Sequence, residues 1–327
     1  MTKLIASLSL DLDNQWSYMK THGDPGWESF PSYLDIVVPR FLEVLAARKL
    51  RITVFVVGQD AALEKNRSAL SCLAPAGHEI GNHSFHHEPW LHLYTEARLV
   101  DELMRAENAI EAATGYRPNG FRGPGFSLSE TTLRVLAERG YRYDASTLPT
   151  FLGPLARAYY FMTARLTPQE RAERRKLFGG FAEGLRPVRP YRWKVDDATL
   201  LEIPVTTMPF LRIPMHLSYI LYVASVSPAL ARAYFSTALH LCRWVGMGPS
   251  ILLHPLDFLG GDDIRELSFF PAMGMPGRWK MELVSELLAQ FSSHFDVLPV
   301  GAHAEALLRS SPPLRQPRFP AHPESLA

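Results

Sequence analysis

Apolar and polar positions alternate at the start of the chain. Residues 4–10 read as a strand in which Leu8 and Leu10 alternate with Ser7 and Ser9, and the run ends in Asp11-Leu12-Asp13. Further strand-like runs lie at 51–57 and 141–144, and helical periodicity spans 36–49, 95–114 and 129–139. Ser129 fits an N-cap for the last of these helices, and Gly140 a C-terminal stop. Strands alternating with helices of this length predict βα units and a parallel sheet, hence an α/β fold. The rhythm breaks at 150–195. It resumes with strands at 200–205, 250–254 and 295–298 and helices near 229–245 and 279–292.

The break has its own character. Residues 151–195 hold ten Lys/Arg (Arg157, Arg165, Arg171, Arg174, Arg175, Lys176, Arg186, Arg189, Arg192, Lys194) against Glu170, Glu173 and Glu183. Thr167-Pro168-Gln169-Glu170 reads as a capping box opening a short basic helix, followed by a Gly/Pro-punctuated loop through Trp193. Residues 209–246 are strongly apolar, but Arg212, His216, Pro228, Arg232 and Arg243 interrupt them. They read as a pair of helices, buried or dipping into a membrane interface, rather than a span. The Pro-rich tail from 310 is expected to be loose. The organisation expected is one domain over 1–309, carrying an insertion at 150–195 and the apolar helical segment 209–246, and then a tail at 310–327.

Composition narrows the class. The 327 residues are 47% hydrophobic and carry 34 Lys/Arg against 33 Asp/Glu, which excludes a disordered chain and gives no basic excess for nucleic acid. Cys72 and Cys242 cannot form a disulfide scaffold, and neither belongs to a CxxC pair. The opening MTKLIASLSLDLDN lacks the long apolar core of a secretory signal, so the expected compartment is the cytoplasm.

Chemistry concentrates in GHEIGNHSFHHEPWLH, where five of the twelve histidines (His78, His83, His86, His87, His92) fall within fifteen residues. His83 and His87 are four apart. On a helical turn that spacing puts two imidazoles on one face to share a metal, with His86 as a competing partner at i,i+3. A zincin motif is excluded, because HExxH would need His at Leu91 and Pro89 breaks the helix. A two-His site needs a third ligand, commonly a carboxylate. Asp11 and Asp13, alternating at a strand end, share a side, so one could bind the metal while the other takes a proton from water. Arg122, Asp144 and His254 close other strand-like runs, where barrel enzymes build their sites.

Five motifs in order, LDLD (10–13), HSFHH (83–87), FRGPG (121–125), YDAS (143–146) and LLH (252–254), make the sequence resemble the polysaccharide deacetylases, the NodB-homology carbohydrate esterases. The resemblance covers about 3–150 and 200–300. It implies a distorted (β/α) barrel with a mostly helical insertion, and metal-dependent removal of an N-acyl group from an amino sugar. The implied metal is divalent, most often Zn2+, with Co2+, Ni2+, Mn2+ or Fe2+ as alternatives. By the same resemblance Asp13, His83 and His87 would hold the metal. Asp11 would be the general base, paired with Arg122, and the Gly125 N–H would stabilise the oxyanion. His254 would be the general acid, and Asp144 would belong to the fourth motif.

Two departures shape the expected substrate. Leu12 separates the acids of the first motif, as in a branch that includes cytoplasmic amidases and lipid-linked-sugar deformylases. Gly125 stands where an aromatic residue often lines the sugar site. Gly125 and the expected lack of a secretory signal argue against a long chitin-like polymer. The basic and apolar stretches suit an amino sugar carried on a polyprenyl phosphate, with peripheral contact at the inner membrane face. The competing readings are a small-molecule amidase, imidase or deformylase on the same fold, and a non-catalytic glycan- or lipid-binding protein.

Overall fold

A computed structural model describes residues 3–166 and 181–319. The predicted capping box at Thr167–Glu170 and the basic helix after it lie outside the described residues, as does the tail from 320.

The alternation in β1 (Leu4–Leu12) sorts its side chains into two environments. Ala6, Leu8, Leu10 and Leu12 are buried in the main hydrophobic cluster with residues of the helices Leu34–Ala47, Leu217–Val226, Pro228–Trp244 and Gly277–His294. Ser7, Ser9 and Asp11 are just as buried but turn to polar partners: Ser7 to His303, Ser9 to Arg122. One face of the strand therefore carries the apolar burial, worth about 1.5–3 kcal/mol per large side chain. The other builds a polar interior.

The remaining strands are β2 (Thr53–Val56), β3 (Glu79–Asn82), β4 (Gly120–Phe121), β5 (Tyr143–Asp144), β6 (Tyr191–Val195), β7 (Ala198–Glu202), β8 (Ser250–Leu253), β9 (Phe295–Leu298) and β10 (Leu314–Arg315). The sheet runs β10-β6-β7-β5-β4-β3-β2-β1-β8, with β9 pairing the first half of β1. From β7 to β8 every neighbouring pair is parallel. This is a distorted (β/α) barrel whose sheet does not close on itself. The gap beyond β7 is bridged by Thr206, whose N–H donates to the Ser250 carbonyl at 2.9 Å and whose hydroxyl accepts from the Ser250 N–H at 2.8 Å.

The structure departs from the sequence expectations at three places. Residues 191–195, which overlap the end of the loop expected through Trp193, form β6, an antiparallel hairpin with β7. Their alternation buries Tyr191, Trp193 and Val195 and leaves the charged Lys194 outside. The tail is tied down at 314–315 by parallel pairing with β6 and at Phe319 by packing on Trp193. Residues 83–87 are not helical. They form a loop with Ser84 (φ 62°) and His87 (φ 55°) in the left-handed region.

Candidate active site

Six of the residues singled out from the motifs lie at or just past the C-terminal end of a strand: Asp11 on β1 and Asp13 just after it, His83 after β3, Arg122 after β4, Asp144 on β5 and His254 after β8. The register Leu10↔Leu253 puts Asp11 and His254 at successive, level positions on adjacent strands.

The HSFHH loop is shaped by hydrogen bonds, not by a helix. Asn82 Oδ1 accepts from the Ser84 N–H at 2.8 Å, and Ser84 Oγ accepts from the His87 N–H at 3.1 Å. Glu102, from the helix Glu96–Thr114, accepts from the N–H groups of Phe85 and His86 and pairs with His86 Nδ1 at 2.6 Å. His86 is thereby drawn to Glu102, while His83 and His87 meet with ring centroids 5.0 Å apart. Their four-residue spacing works through two left-handed residues in a loop.

Asp13 lies between the two imidazoles. Its Oδ1 is 2.9 Å from His87 Nε2 and 3.3 Å from His83 Nε2. His83 Nδ1 donates to the Arg122 carbonyl at 2.7 Å, which orients Nε2 toward the carboxylate. Burial raises the Asp13 carboxyl, but the charge and hydrogen bonds of His87 and His83 hold it well below the usual carboxylate range. Asp13 Oδ1 and both nitrogens of His87 are buried without a properly formed hydrogen bond among the described residues. One ligand atom from each of Asp13, His83 and His87 lies within 4.8 Å of the others. A carboxylate, two imidazoles and orphaned polar atoms fit a divalent metal ion.

Beside this cluster Arg122, fully buried, donates from Nη1 to Asp11 Oδ1 at 2.6 Å and to Ser9 Oγ at 2.9 Å. Its Nε donates to the Ala145 carbonyl at 2.9 Å, and the guanidinium lies over the Phe55 ring. Asp11 Oδ2, left open by Arg122, lies 4.0 Å from His83 Nε2.

His254 belongs to a second hydrogen-bonded group. Its Nδ1 is 2.9 Å from Ser218 Oγ, which donates onward to Asp257 Oδ1 at 2.7 Å. Because the single hydroxyl hydrogen goes to the carboxylate, Nδ1 of His254 carries a proton and Nε2 is free to exchange one. Asp257 Oδ2 accepts from the His254 N–H at 2.8 Å, and Lys280 Nζ holds the turn by donating to the carbonyls of Leu256 and Leu259. His216 lies 5.9 Å from the His254 ring and is pushed down to about 3 by burial and by His254. Tyr18 connects the two halves: burial first, then the charges of Asp13, Tyr33 and Asp257, push its phenol well above the ordinary value.

Asp144 is fully buried. It accepts from Ser146 Oγ at 2.5 Å, and Ser146 Oγ accepts from the Gly123 N–H at 2.8 Å, so the carboxyl supports the FRGPG turn from below. Its other partner is Glu202, across the β5–β7 register. Burial and the Asp144 charge push the Glu202 carboxyl well above its usual range. Gly125 is exposed, at φ 57° in the turn Pro124–Phe126, where a Cβ would stand 3.1 Å from Pro89.

Sequence reasoning missed Ser218, Asp257, His216 and Tyr18. Asp257 had a local signal, since an acid three residues after His254 in HPLD closes a capping box. The others reach the site only through packing.

Residues 24–143 match the model of the polysaccharide deacetylase family. A peptidoglycan deacetylase of Helicobacter pylori is 25% identical over 153 residues, 45% of this chain and 50% of that protein. The chain spans half or less of the length of the curated relatives it matches. In architecture it is similar to a crystal structure of a candidate polysaccharide deacetylase from Mycobacterium smegmatis. That likeness has a TM-score of 0.65 at 21% identity and covers 98% of this chain and 96% of the other. It is also similar to the Puue allantoinase, with TM-score 0.55 at 16% identity, covering 95% and 92%. No described helix is long and apolar enough to cross a membrane. Over residues 24–143 the chain is thus similar to the polysaccharide deacetylase family, and over nearly its whole length it shares the architecture of the Mycobacterium smegmatis protein.

Proposed function

We propose that this chain is a divalent-metal-dependent hydrolase that removes an N-acyl group, acetyl in the first instance, from an amino sugar in a glycan or on a polyprenyl-phosphate carrier. The observation that carries the reading is the Asp13–His83–His87 cluster with the Asp11–Arg122 pair beside it. The name of the Helicobacter relative supports a glycan substrate. The catalytic unit is taken as 1–309.

A metal ion at Asp13, His83 and His87, zinc by preference for this donor set, would supply Lewis-acid activation of water and polarisation of the acyl carbonyl. Asp11, fixed through Oδ1 by Arg122, accepts the proton of the attacking water at Oδ2. The Gly125 N–H donates to the oxyanion as the carbonyl becomes tetrahedral. His254, held through Nδ1 by Ser218 and Asp257, delivers a proton from Nε2 to the departing amine. Water and amide are thereby converted to carboxylate and free amino sugar. A positioned acid and base each contribute about 10²–10⁴-fold.

The test is metal content by elemental analysis and acetate release from a panel of N-acetylated amino sugars, soluble and polyprenyl-linked, with cyclic amides alongside. Asp13→Ala and His87→Ala should each lose both bound metal and turnover. Full hydrolysis by either variant would refute the assignment, and turnover of cyclic amides alone would move the reaction to an amidase of the same fold.

A further inference from the structure

Two stretches far apart in the sequence meet on one face. Trp244, at the end of the helix Pro228–Trp244, is 77% exposed, and its ring lies 5.9 Å from Phe210, itself 71% exposed. Leu211 follows at 61%. Arg212 then reaches across: it donates to the carbonyls of Arg186, at 2.7 Å, and Gly184, and stands 5.7 Å from the Phe151 ring. Phe151 packs on Phe181 at 5.7 Å, and Phe181 and Leu185 are 68% and 74% exposed. Five large apolar side chains are thus displayed together in water.

The backbone around them is strained. Phe210 (φ 68°) and Arg212 (φ 53°) both sit in the left-handed region without being glycine. Holding an aromatic ring out in solvent at that cost gains nothing for the free protein, which points to a surface met on binding. The charges around the ring pair are cationic. Arg189 donates to the carbonyls of Val245 and Gly246, just past Trp244. Arg243 precedes Trp244 and is exposed. Glu183, an acid among the described residues of this face, is already paired with Arg186.

We propose that this face docks on an anionic phospholipid surface, with Phe210, Leu211 and Trp244 entering the headgroup boundary and Arg189 and Arg243 facing the phosphates. Charge decides against a second copy of the chain, because a two-fold pairing would set the same arginines against each other. The inference rests on the amino-sugar reading only for what docking serves, namely bringing the site to a glycan precursor at a membrane. Vesicle binding is measured without any substrate, so the two can fail separately.

The experiment is flotation of the full chain with phosphatidylcholine vesicles, with and without about one-third phosphatidylglycerol. Wild type should float with the anionic vesicles and stay behind with the neutral ones. Phe210→Ser/Leu211→Ser/Trp244→Ser should bind at least about tenfold more weakly. Arg189→Gln/Arg243→Gln should lose the preference for anionic lipid. Both variants should keep the melting temperature and the turnover of a water-soluble N-acetylated oligosaccharide. Should the triple variant fail to fold, quenching of wild-type tryptophan fluorescence by brominated phosphatidylglycerol reads the same insertion. Three results would overturn the proposal: no wild-type binding to anionic vesicles, undiminished binding by the folded triple variant, or a concentration-dependent dimer that the triple variant abolishes.

Discussion

Replacing Asp60 with Asn asks whether the support beneath the site holds a carboxyl that stays neutral up to about pH 7. Asp60 is buried, and three N–H donors converge on its Oδ1: Asn14 Nδ2 at 2.7 Å, Trp16 Nε1 at 2.9 Å and Asn66 Nδ2 at 3.2 Å. Its Oδ2 has no hydrogen-bond partner among the described residues. Burial dominates, and although Asn14 and Trp16 oppose it, the carboxyl is raised to about 7. In the unfolded chain the same group ionises near its ordinary value of about 4. Between those limits the unfolded state releases a proton that the folded state keeps. The contribution of Asp60 to wild-type stability therefore falls as pH rises from about 4 to about 7 and levels off above. Three units at 1.36 kcal/mol each give a change on the order of 4 kcal/mol. Asn is nearly isosteric, keeps an oxygen for the three donors and cannot ionise. Urea unfolding of wild type and Asp60→Asn, with a chelator present, should show the stability difference moving toward the variant by ~2–4 kcal/mol between about pH 4 and pH 8. A difference constant to within ~0.5 kcal/mol over that range would refute the reasoning.

Two further outcomes follow from the site. Arg122→Met leaves the buried Asp11 carboxylate without its 2.6 Å partner and should cost ~3–5 kcal/mol in urea unfolding. Adding Asp11→Asn should restore part of that, and a single variant as stable as wild type would contradict the pairing. Ser218→Ala removes the hydroxyl between His254 and Asp257. It should lower kcat about tenfold, leave KM unchanged and shift the acid-dependent limb of the pH–rate profile, whereas a pure KM effect would place Ser218 in substrate binding.

The parts of the fold legible in the sequence are those whose signal is local. The Ser-Leu alternation of β1 is enough to mark both its faces, and the helices around 95–114 and 129–139 follow their periodicity and caps. Strands of two residues, such as β4 and β5, offer little pattern of their own. β6 does alternate, but its arginine and lysine disguise it within a cationic stretch. At the site, the spacing argument that pairs His83 with His87 assumes a helix. The pairing holds, but through two left-handed residues and the Glu102 clamp from another element. Asp60 and Ser218 carry no signal for these roles, because Asn14 and His254, with which they pair, lie 46 and 36 residues away and only folding brings them together.

The short β10 has a consequence for how the molecule avoids its own copies. β6 would otherwise be the outer strand of the sheet on that side, offering a row of unpaired N–H and C=O groups to any strand that approached. Leu314 and Arg315 occupy that row: the Arg192 N–H donates to the Pro313 carbonyl at 2.9 Å, and Arg192 Nε donates to the Pro312 carbonyl at 3.0 Å. Phe319 then lies against Trp193 and beneath the Arg186 guanidinium. The prolines at 312, 313 and 317 cannot donate to a further strand, so the stretch that seals the edge does not itself extend the sheet. These residues act as a stopper, and a chain cut at residue 310 would expose a sticky seam on the side opposite β8.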